Sequence, residues 1–124
     1  AVGPQAARMR KGSDVEQIAL LYTTWPDAET AETVARAAVE ERLCACVNIL
    51  PQGRSIYRWG DGIEAAAETM ALFKTTVARA DDLSAFIIAN HPYDVPAVVS
   101  VATMSTGSSP DFLTWVADQA CPLP

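Results

Sequence analysis

Three thiols and one imidazole are the most reactive side chains in this sequence: Cys44, Cys46, Cys121 and His91. Cys44 and Cys46 stand two apart, so on a strand both point to one face. A Cys-x-Cys pair suits a soft metal ion. No further ligands cluster beside it, and a free cysteine more often packs as a small buried hydrophobe, so a core role is expected. His91 precedes Pro92-Tyr93 at the end of a helical pattern, with Asp94 close by. A helix C-terminus favours a cation, which suggests a capping or surface role, with a metal site shared between subunits as the sharper alternative. One histidine without a nucleophile elbow makes no Ser-His-Asp site. No glycine-rich phosphate loop is present. No catalytic residues emerge, and the reading is of a protein that is not an enzyme.

The region with most information is extended rather than reactive. Ser55, Tyr57 and Trp59 alternate onto one face of a strand, and Ile56 and Arg58 onto the other. Aromatics this far along a hairpin exceed what a small core can cover. Exposed strand edges need a partner, and Tyr and Trp are favoured at interfaces. Ile56, Tyr57 and Trp59 are therefore expected where copies of the chain meet. Lys74, Arg58, Glu64 and Tyr93 are candidates to line a ligand pocket between subunits, since clefts at interfaces often bind ligands. A set of structural ion pairs is the weightier reading.

These residues must be positioned by a short series of elements. Gln17–Thr24 is an apolar run suited to a central strand. Asp27 caps a helix expected to run to about Arg42, with Ala31, Val34, Ala35, Ala38 and Val39 at helical spacing. Cys44–Leu50 reads as the second strand, bent at Pro51-Gln52-Gly53 and resuming over Ser55–Trp59. Gly60-Asp61-Gly62 turns the chain back through Ile63–Thr76, making a long hairpin. Asp81-Asp82 opens a second helix that Pro92 ends, with Leu83, Phe86, Ile87 and Asn90 on one face. Ala97–Met104 is another strand, and Ser109-Pro110-Asp111 starts a last helix burying Phe112, Trp115 and Val116. The order predicts an α+β, ferredoxin-like βαββαβ sandwich with a long hairpin between its second and third strands and an extra C-terminal helix.

The 124 residues suit one domain, spanning 15–124, after a tail at 1–14 expected to be disordered or non-native. The net charge is −6, and Arg8, Arg10 and Lys11 stand in the tail. The acidic remainder argues against nucleic acid, whose binding needs basic clusters. An odd number of cysteines fits a reducing, cytoplasmic location better than a disulfide framework. No apolar run is long enough to span a bilayer, so no membrane partner is expected.

Several segments taken together resemble the CutA divalent-ion tolerance proteins. They are Glu41–Ile49 (ERLCACVNI), Ser55–Trp59 (SIYRW), Phe73-Lys74-Thr75, His91–Pro96 (HPYDVP) and Pro110–Trp115 (PDFLTW). The resemblance covers about Ile18 to Trp115. It implies a tight homotrimer formed through the long hairpins and similar in architecture to the PII signalling proteins. It implies tolerance of, or response to, copper and other divalent ions without catalysis. Alternatives within it are a PII-like small-ligand sensor and a trimeric scaffold for a protein partner. No cofactor is required, and Cu2+ is the candidate ion. Where the family pattern carries proposed copper ligands, this chain has Thr23, Asn90 and Ala97. His91 remains as a candidate ligand, with Asp94 beside it.

Overall fold

The computed structural model describes residues 17–122, so the tail at 1–14 lies outside the described residues. Seven elements follow in order: β1 (Ile18–Trp25), α1 (Ala28–Glu40), β2 (Cys46–Trp59), β3 (Gly62–Thr76), α2 (Val77–Ala89), β4 (Val98–Ala102) and α3 (Pro110–Gln119). The strands form one antiparallel sheet in the order β2-β3-β1-β4. This is the ferredoxin-like arrangement expected from the sequence, with α3 appended.

Alternation sorts each central strand into two faces. On β1 the odd positions Ala19, Leu21 and Trp25 enter the main core with Ala71 and Phe73 of β3. That core is closed by Ala31, Val34, Ala35 and Ala38 of α1 and by Leu83 and Ile87 of α2. Both crossover helices therefore cover one sheet face, as right-handed connections require. A smaller cluster joins Val116 and Ala117 of α3 to Ile18 and Ala45.

The helix ends are specified locally. Asp27 accepts a hydrogen bond from the Thr30 amide at 2.7 Å, and bonds from the Thr30 amide and hydroxyl hold its carboxyl below the ordinary range. Ser109 caps α3, with Pro110 at its first position. Helix α1 stops at Glu40, two residues earlier than expected, because Arg42 takes a left-handed φ of 58°. The Leu43 amide then reaches the Ala38 carbonyl and the Arg42 amide reaches that of Val39, a Schellman closure.

Helix α2 differs most from the sequence expectation. It starts at Val77 rather than at Asp81-Asp82, capped by Thr76, so β3 runs into it without a loop. Asn90 is exposed, outside the packed face formed by Leu83, Phe86 and Ile87. The second strand begins at Cys46, since Cys44 and Ala45 belong to the turn that enters it. The last strand is shorter than expected, Val98–Ala102. In α3, Thr114 and Ala117 are buried with Val116, whereas Phe112 and Trp115 are only partly covered.

Candidate functional site

The long hairpin is the feature that leaves the body of the domain. The last β1–β3 pair is Trp25 with Thr69, whereas β2 and β3 stay paired out to Trp59 and Gly62. Residues 53–59 and 62–68 therefore form a two-stranded arm of about 23 Å at the usual rise per residue. Its turn, Gly60-Asp61, places Gly60 at φ 60°, the conformation glycine supplies at the first position of a II′ turn. An isolated two-stranded ribbon is marginal in water. On this arm Ile56 is 74%, Trp59 71% and Ile63 63% exposed, and Tyr57 meets Trp59 edge to face at 6.4 Å. The residues expected at an interface are uncovered in the single chain.

A bulge sets which face they occupy. Leu50 pairs with Met70 but Gly53 pairs with Glu68, so β2 carries one extra residue there, with Gln52 at φ 66°. The insertion flips the alternation. Asn48 and Leu50 before it, and Ser55, Tyr57 and Trp59 after it, all lie on the face opposite the helices. Gly53 fits this crossing because a Cβ there would meet the Met70 thioether and stand 2.9 Å from the Glu68 carbonyl. The same face carries Val99, Tyr22, Leu72 and Asn48 in one cross-strand row and Val101, Leu20, Lys74 and Cys46 in the next. Tyr22, Leu50, Val99 and Val101 are exposed, and the same face continues past Ser55 and Glu68 to the aromatics of the arm.

At the root of the arm lies His91, buried rather than at the surface. Its ring stacks on Trp25 at 4.2 Å. Its Nε2 donates to the Thr24 carbonyl at 2.7 Å, and its Nδ1 accepts from the Tyr93 amide at 3.1 Å. A carbonyl can only accept and an amide can only donate, so both bonds require the neutral Nε2–H tautomer. Tyr93 turns outward and donates from its hydroxyl to Glu68 Oε2 at 3.2 Å. Glu68 Oε1 accepts from the Ser55 hydroxyl on the paired strand. Burial, then the neighbouring Glu68, push the Tyr93 phenol up from its ordinary value, keeping it a donor.

Within one chain the other candidate groups stand apart. Glu64 and Lys74 are ten residues apart on β3, about 33 Å along a strand. Lys74 bonds Asn48 at the body end, whereas Arg58 and Glu64 are on the arm and Tyr93 meets Glu68. One chain thus does not form the pocket of Lys74, Arg58, Glu64 and Tyr93, because β3 carries two of them ten residues apart.

Burial holds two of the three thiols protonated. Burial, reinforced by Cys46, pushes the Cys44 thiol up to about 12, and burial raises Cys46 against the opposing pull of Lys74. Among the described residues, no three His, Cys, Asp or Glu side chains stand together as a metal site.

Sequence reasoning missed Glu68, Ser55 and Trp25 as partners of the His91–Tyr93 segment. The usable signal was Glu68, the one acid between Ala65 and Phe73 in an otherwise mostly apolar strand.

The CutA1 divalent ion tolerance protein model matches residues 19–119. The chain belongs to this family. It is 40% identical to the divalent-cation tolerance protein CutA of Thermus thermophilus over 102 residues, covering 82% of this chain and 95% of that protein. It is 34% identical to the chloroplastic CutA of Arabidopsis thaliana over 109 residues, covering 88% of this chain but only 59% of the relative. The crystal structure of CutA1 from Ehrlichia chaffeensis superposes with a TM-score of 0.81 at 33% identity, covering 87% of this chain and 99% of that one. Another solved relative, from Archaeoglobus fulgidus, is described as periplasmic. No helix among the described residues is long and apolar enough to cross a membrane.

Against the CutA pattern, the three departures have structural employment or none. The Thr23 hydroxyl donates to the Ala71 carbonyl and accepts from the Trp25 indole at 2.7 Å. The Asn90 amide donates to the Phe86 carbonyl at the end of α2, and Ala97 is exposed. Copper does not fit here, because both nitrogens of the one histidine are already committed.

Proposed function

We propose that this CutA-family chain acts as a homotrimer in tolerance of or response to divalent cations, without covalent catalysis. The observation that carries the assembly is the set of exposed apolar side chains on one sheet face, Val99, Tyr22 and Leu50 on the body and Tyr57 and Trp59 on the arm, flanked by two unpaired sheet edges, β2 and β4. Exposed edges and apolar faces of this kind are covered in natural proteins. The cation role rests on family membership and on the relatives' names. Three free cysteines support a reducing, cytoplasm-like compartment.

Light scattering on the purified chain tests the assembly, with three chain masses at micromolar concentration as the expected result. A single chain mass would remove it. The sensor reading needs Lys74 of one copy to approach Glu64 or Tyr93 of another, since one chain keeps them apart. No observation favours the scaffold reading over the trimer itself.

A further inference from the structure

We infer that His91 is not a copper ligand in the folded chain but the pin of a latch that fixes the exit of the hairpin arm. The latch runs His91–Tyr93–Glu68–Ser55 and rests on Trp25. Each link has a bond of defined direction. Trp25 is the last residue of β1 to pair with β3, and Glu68 is the first residue of β3 beyond that pairing. Here the sheet, which β4 has already left, narrows from three strands to two, and a ribbon of two strands twists more strongly than a wider sheet. Trp25 brings the main core to β3 beside this point, at Thr69, and the loop after α2 comes to the same place because His91 is held by the Thr24 carbonyl and by the face of Trp25.

With His91 fixed, its Nδ1 seats the Tyr93 amide, and the Tyr93 ring leans on the imidazole at 4.8 Å. The phenol then reaches Glu68, whose second oxygen takes the Ser55 hydroxyl. One carboxylate thus joins both strands of the arm to the loop. Coordination of Cu2+ at either nitrogen of His91 would break the latch, since neither lone pair nor proton is spare.

Two measurements on the full chain test this. In the first, the native protein is titrated with Cu2+ alone while the His91 ring signals are followed by NMR. The expected result is an Nε2–H tautomer whose signals persist at one equivalent of metal. Their selective loss, or a different tautomer, would overturn the assignment.

In the second, hydrogen exchange is compared in Tyr93→Phe, Glu68→Ala and the double variant. The arm amides of residues 53–68 are expected to exchange at least about fivefold faster, with β1 amides unchanged, as a local opening predicts. The double variant should be no faster than Glu68→Ala, because Tyr93 acts on the arm only through that carboxylate. Unchanged arm exchange, or additive effects, would overturn the latch. Exchange is compared at equal oligomeric mass, so failure of the trimer reading would show in the mass instead.

Discussion

At the scale of single residues, the thiols are where charge and burial make opposite demands. Cys44 is 1% exposed and its thiol is pushed up to about 12, so the folded chain holds that proton more tightly than the unfolded chain, which ionises near the ordinary 9.0. Stability from this group is therefore complete below pH 9 and falls as pH rises from there toward 12. Chemical unfolding of the wild type and Cys44→Ala across that range checks the sign. The wild type should lose midpoint faster than the variant above pH 9, and parallel curves would refute it. Iodoacetamide in the native state should modify the exposed Cys121 and spare Cys44, because the thiolate is the nucleophile.

Among the elements, Arg42 shows why a position can defy its usual residue. The Schellman closure of α1 normally takes glycine, yet here an arginine sits at φ 58°. Its side chain explains it: Nε donates to the Cys121 carbonyl at 2.9 Å and Nη2 to that of Asp118 at 3.0 Å, capping the end of α3. Replacement by alanine loses those bonds and keeps the backbone cost, whereas glycine loses the bonds but relieves it. Arg42→Gly should thus be about 1 kcal/mol more stable than Arg42→Ala, both below wild type, as read by denaturant midpoints. Much of this level was legible in the sequence: the Asp27 and Ser109 caps, the bend at Pro51–Gly53 and the turn at Gly60 all use local chemistry. The start of α2 was not, because β3 enters it at Thr76 with no glycine or proline between, and Asp81-Asp82 imitates a helix start four residues on. The His91 cluster was half legible. The histidine stands out, but Trp25 and Glu68 come to it only through sheet topology, which no local pattern encodes.

For the molecule as a whole, a fold with both helices on one face must find something else for the other face. Helix α3 joins Ile18 and Ala45 in a small cluster but leaves Tyr22, Leu50, Val99 and Val101 open, and the bulge in β2 turns Tyr57 and Trp59 to that same side. A lysine at Val99 distinguishes a tolerated surface from a buried one. In a lone chain Val99 is 54% exposed, so Val99→Lys should change stability by no more than about 0.5 kcal/mol. In an assembly that buries this face, the same ammonium would lose water without a partner and cost several kcal/mol. The variant should therefore keep its far-ultraviolet circular dichroism, sediment as one chain, and lose the concentration dependence of Tm that an assembled protein shows. Retention of the three-chain mass by Val99→Lys would mean that the sheet face is not the contact. The arm's own aromatics would then have to hold the copies together, and Trp59→Ala is the variant that would separate them.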